Sequence, residues 1–133
     1  MLHYMLDTNL CIRALRDRPP GLRSRFNVEA DSLCISTITL TELLYGAEKS
    51  ARPAHHRQQV EGFAARLAVL ALGPLAASHA AEIRATLERN GQTIDAYDLL
   101  IAGHARSQGL VVVTGNLREF HRVEGLLSEG WLQ

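Results

Sequence analysis

The sequence predicts an α/β protein whose parallel sheet is covered on both faces by helices. Short, almost wholly apolar runs recur along the chain, and helical apolar stripes fill the intervals between them. Strands buried on both faces read as such runs rather than as an alternation of apolar and polar residues. No repeat, low-complexity run or linker divides the 133 residues, and 47% hydrophobic with 21% charged residues is enough to bury one core. We read one domain over residues 1–133.

The elements follow in order. Residues 2–6 form the first expected strand, which stops at Asp7-Thr8-Asn9, residue types that also cap helices. Residues 32–36, "SLCIS", form the second. Leu40, Leu43, Leu44 and Ala47 then fall on one helical stripe, and Val60, Phe63, Ala64 and Leu67 on another. Residues 68–72 are a third strand, followed by the stripe Ala76, Ala80, Ile83 and Leu87, which Asn90-Gly91 ends. Tyr97, Leu100, Ile101 and His104 mark a further helix ending at Gly109, and residues 110–114, "LVVVT", are the clearest strand of all.

Fourteen basic and fourteen acidic residues cancel, so no global field points to nucleic acid or membrane. The cations are unevenly spread. Arg13, Arg16, Arg18, Arg23 and Arg25 face Asp17 alone, and Lys49, Arg52, His55, His56 and Arg57 follow Glu48 without another acid. Arginine is nearly the sole cation, and its fork suits phosphate. Cys11 and Cys34 sit in apolar surroundings, as buried thiols of a reducing compartment do. The longest apolar stretch is broken by Gly73 and Pro74, so the expected location is cytoplasmic, with no membrane contact.

In a parallel sheet the ligand crevice lies at the strands' carboxyl ends, where antiparallel-packed helices also begin. Asp7 follows the first strand. Glu42 falls in the expected first turn of the helix after the second strand, Asp98 in the first turn of the helix beginning near Asp95, and Asn116 just past the last strand. Each acid alone reads as a cap: Thr39-x-x-Glu42 fits a capping box and Asp95-x-x-Asp98 a shorter version of it. Together they require a counter-charge, because neighbouring carboxylates raise one another's pKa. Carboxylates without His or Cys beside them suit Mg²⁺ or Mn²⁺. His104, on an apolar face, reads as a core histidine, and Trp131 as a packing residue.

The runs "MLDTNLCI", "TLTELLYGAEKS" and "YDLLIAGHARSQGLVVVTGNLREFHRVEGL" resemble the PIN-domain ribonucleases, most closely the VapC-type toxins of bacterial toxin–antitoxin pairs. The resemblance implies a three-layer α/β/α sandwich with a central parallel sheet and a Mg²⁺- or Mn²⁺-dependent endoribonuclease. It makes Asp7, Glu42 and Asp98 the acidic metal-binding triad and Asn116 the fourth catalytic position, where many members carry Asp. Asn9 and Thr114 are expected to hydrogen-bond the triad or its waters, with Thr8 acting chiefly as a cap and Asp95 as a cap rather than metal support. Gly115 stands where related toxins often show a polar or basic residue. The resemblance further implies a homodimer, a VapB-type antitoxin partner and a structured RNA substrate, with tRNA the expected one. An Arg from the antitoxin's tail would enter the acidic pocket, and the helices around residues 40–50 and 55–67 would offer an apolar groove for the rest.

Two other readings compete. A non-catalytic RNA-binding module would keep the fold without cleavage. A receiver-like or phosphatase-like domain also gathers acids at a sheet edge, but "LDTN" lacks the phosphatases' paired acids and "VVVTGNLREF" lacks the receivers' lysine.

Overall fold

The computed structural model describes residues 1–132. Strand β1 (Tyr4–Leu6) runs without a loop into α1 (Thr8–Leu15), followed by α2 (Leu22–Val28) and a short 3-10 turn. Strand β2 (Leu33–Ser36) leads directly into α3 (Thr37–Glu48), then α4 (Pro53–Ala64), β3 (Ala68–Leu70) and α5 (Pro74–Arg89). Helix α6 (Ala96–Ser107), β4 (Val111–Val113), α7 (Leu117–Phe120) and β5 (Ser128–Glu129) complete the chain.

The five strands form one sheet in the order β3-β2-β1-β4-β5, with every pair parallel. This is the predicted class, and β1 lies at its centre. Met5 registers with Cys34 on one side and Val112 on the other. Successive strand residues point to opposite faces, so the sheet divides the core in two. Met5, Cys34 and Val112 pack with Ile83 and Ile101 under α5 and α6, whereas Leu6, Ile35 and Val113 pack with Leu10 and Leu43 under α1 and α3. Because both faces are covered, the strands carry apolar residues at consecutive positions, which is why they were visible as unbroken runs.

The observed strands are shorter than the apolar runs, and β5 has no apolar run to announce it. Its pairing rests on the backbone: Val112 N–H donates to Leu127 O at 2.9 Å and Thr114 N–H to Glu129 O at 3.0 Å. Helix starts follow their local chemistry. Pro53 and Pro74 occupy first helical positions, where the missing N–H costs nothing, and Gly91 and Gly109 take positive φ after α5 and α6 as expected. One cap is corrected. Helix α3 begins earlier than the Thr39 capping box required: Ser36 is its N-cap, accepting from Ile38 N–H at 3.1 Å. Thr39 is fully buried inside the helix, and Glu42 falls in its second turn rather than its first.

Candidate active site

The aspartate after β1 has two hydrogen-bond donors. Asp7 is the N-cap of α1, its Oδ1 accepting from Leu10 N–H at 2.9 Å, and its Oδ2 accepts from the Thr114 hydroxyl at 2.5 Å. The carboxylate is 3% exposed, so two donors hold it in one orientation at the sheet edge. Thr114, directly after β4, is buried and also accepts from Asn116 N–H at 2.8 Å, which ties the β4–α7 turn to the Asp7 carboxylate. Of the contacts expected of Thr114, the structure has the hydrogen bond to Asp7.

Thr8 does not cap α1. Its hydroxyl donates to Glu42 Oε1 at 2.5 Å and lies 3.3 Å from the Thr39 hydroxyl, so a hydroxyl pair between α1 and α3 positions the Glu42 carboxylate. Asp95 does cap α6, accepting from Tyr97 N–H and Asp98 N–H at 3.0 and 3.4 Å. That places Asp98 in the first turn of α6 with its side chain half-buried. Asn116 is exposed and its amide donates to Glu119 Oε2 at 2.7 Å. Asn9 is exposed beside the site, and among the described residues its side chain has no hydrogen bond.

Glu119, in α7, is the residue that sequence reasoning missed. One carboxylate oxygen accepts from Asp95 N–H at 2.9 Å and the other from the Asn116 amide. "NLREF" offered a signal, an acid three residues after Asn116, but in a four-residue helix with no apolar stripe it resembles any surface glutamate.

The acids sense one another. Burial, followed by the charges of Glu119, Asp7 and Asp95, pushes Asp98 up to about 7. Burial also raises Asp7, opposed by its bonds from Thr114 and Leu10, with Glu119 and Glu42 adding smaller upward contributions. Among the described residues no Lys, Arg or His forms an ion pair with any of these carboxylates. No three His, Cys, Asp or Glu side chains of the described residues converge as a ready-made coordination sphere. What the edge presents is an oxygen-only, net-negative surface whose members are oriented by hydroxyl and amide donors.

His104 lies apart. It is buried and its Nδ1 is 2.8 Å from the Ser36 hydroxyl, the satisfied core histidine expected. Trp131 packs edge-on against Tyr4 and Phe26 with the Arg25 guanidinium 4.0 Å over its ring.

A parallel sheet of this order with acids at its carboxyl edge defines a class, and the comparisons agree: the PIN-domain model matches residues 4–126, and the chain belongs to the PIN-domain family. It is 50% identical over 131 residues to the tRNA(fMet)-specific endonuclease VapC of Shigella flexneri, spanning 98% of this chain and 99% of that one. Identity to the protein of the same name from Salmonella typhimurium is 53%, with the same coverage. In the crystal structure of DNA-bound VapBC from Salmonella typhimurium, a chain 53% identical matches with a TM-score of 0.94, covering 98% of this chain and 99% of its own length. Within the family the chain's place is the VapC group. The receiver-like reading falls with this assignment.

Proposed function

We propose that this protein is a cytoplasmic, Mg²⁺- or Mn²⁺-dependent endoribonuclease of the VapC type, that its substrate is structured RNA of the tRNA class, and that a VapB-type antitoxin neutralises it. The observation that carries the reading is the edge of Asp7, Glu42, Asp98 and Glu119, where burial first and then the charges of Glu119, Asp7 and Asp95 raise Asp98 to about 7, and where among the described residues no side-chain cation forms an ion pair with these acids. The endonuclease names of relatives at about half identity support the RNA substrate. No helix among the described residues is long and apolar enough to cross a membrane.

The donor set fits a hard divalent cation. All its groups are oxygens, and a Mg²⁺ ion that keeps several waters does not require the carboxylates to converge directly. Asp7, Glu42 and Asp98 would hold the ion. Bound there, it supplies Lewis acidity, a lowered water pKa and positive charge opposite the phosphate. The protein's own part is orientation. Thr114 and the α1 backbone fix Asp7, Thr8 fixes Glu42, and Asn116, as a neutral amide, positions water or a phosphate oxygen without adding charge. Glu119 in turn aligns Asn116 and the start of α6.

The test uses purified protein and total RNA. EDTA is expected to stop cleavage and Mn²⁺ or Mg²⁺ to restore it, leaving 5′-phosphate and 3′-hydroxyl ends. Asp98→Asn is expected to lower the rate by at least about a hundredfold, given what single groups in electrostatic catalysis contribute. Undiminished cleavage in EDTA with trace metal excluded, or 2′,3′-cyclic phosphate products, would overturn the mechanism.

A further inference from the structure

A nuclease with no net charge and an acidic catalytic edge has to attract a polyanion locally. The side chains that can do so lie beside the acids. Arg13 is in the last turn of α1, Arg16 closes that helix and Arg18 follows; all three are exposed. They line a cleft of about 470 Å³ together with Asn9 and Ile12 of α1 and with Gly115 and Asn116 of the β4–α7 turn, so the cleft borders the candidate site at Asn9 and Asn116. Among the described residues none of the three guanidinium groups makes an ion pair or hydrogen bond, whereas Arg25, Arg57, Arg84 and Arg106 are each paired with a glutamate. One cation near a helix C-terminus is favoured by the dipole by about 0.3–1 kcal/mol. That does not account for three left unpaired on one wall.

Gly115 and Asn116 border the cleft from the β4–α7 turn. A Cβ at Gly115 would meet Leu132 Cδ1 at 2.6 Å, so its place beside Leu132 excludes a larger side chain. What this turn offers the cleft is backbone and the neutral Asn116 amide, neither of which repels a phosphate.

Resting on the nuclease reading above, we infer that Arg13, Arg16 and Arg18 form an RNA-backbone site that holds the phosphates flanking the scissile bond and orients the strand across Asn116. Guanidinium forks bind phosphate oxygens bidentately, and their exposure keeps them available to an incoming strand.

The test separates binding from cleavage. Binding of a fluorescent tRNA and of an unpaired RNA oligonucleotide is measured in EDTA, as a function of salt, for the full-length protein and for Arg13→Gln/Arg16→Gln/Arg18→Gln. Each lost phosphate contact flattens the slope of log K against log salt by about 0.7 on a single strand, so a loss of about 2 is expected. With Mn²⁺, kcat/KM should fall mostly through KM. Arg84→Gln/Arg89→Gln on α5 should change neither. Arg13, Arg16 and Arg18 are exposed and leave no buried partner behind when replaced, and an unchanged melting temperature checks the fold. A wild-type slope and KM in the triple variant would overturn the inference, as would loss of antitoxin binding without loss of RNA binding, which would assign the cleft to an acidic peptide. If the slope flattens but the wild-type protein cuts no RNA with any divalent ion, the backbone site stands and the nuclease reading fails.

Discussion

Asp98 pays for the function of the edge in stability. Its carboxyl is raised from 3.8 to about 7 by burial and by Glu119, Asp7 and Asp95. A group whose folded pKa lies above its unfolded one binds a proton on folding, so its contribution falls as pH rises from about 4 towards 7. Asp98→Asn in metal-free protein is therefore expected to raise the melting temperature by roughly a few degrees at pH 8 and scarcely at pH 4, read by calorimetry. An unaltered pH profile would mean that Asp98 is not the strained acid. His104 acts with the opposite slope. Burial lowers its pKa, so the unfolded chain takes up the proton first and stability is lost as pH falls through 6.5.

At the scale of elements, α6, which carries Asp98 in its first turn, packs closely on α5. Gly103 lets the two helices touch: a Cβ there would lie 2.6 Å from Ala80 N, a backbone atom that cannot swing aside. Gly103→Ala, although helix propensity favours alanine, is expected to destabilise by about 1–3 kcal/mol through overpacking, measured by urea unfolding; a stabilised variant would show the pair to be pliable. This glycine was not legible in the sequence, because a close approach between helices leaves no local pattern. The four longer strands and α3 to α6 were legible, because two-sided burial writes apolar runs and one-sided burial writes stripes, whereas α1, α2 and α7 are too short to show a sustained stripe. Asp7, Glu42, Asp98 and Asn116 were placed on one edge by topology alone. Glu119, the Thr8–Glu42 bond and the Ser36 cap were not, since each depends on where neighbouring elements meet in space.

For the molecule as a whole, the acidic edge adjoins a groove of about 850 Å³ between α1, α3 and α4, with Ile12, Leu43, Val60 and Glu42 in its lining. That is the seat proposed for the antitoxin's tail, with apolar side chains interleaved with Arg16, Lys49 and His56 for its body and Glu42 for an arginine. Co-expression with the adjacent open reading frame is expected to rescue growth and yield a stable complex. Replacing the tail's arginine should restore cleavage more than it weakens binding, as titration calorimetry beside an RNA assay would show. Equal inhibition without the basic tail residues would dismiss this route. The homodimer proposed from the resemblance is checked in the same preparation by light scattering.

The strand order has a consequence in time. Strand β1 has β4 as one of its two neighbours, and Asp7 takes its hydroxyl donor from Thr114, 107 residues away. Trp131, near the end of the chain, closes over Tyr4 near its beginning. Sheets built from such distant pairings form late and slowly. A growing chain therefore carries its aspartate long before it has a site, and the acidic edge exists only once β4 has joined β1 and Thr114 has reached Asp7.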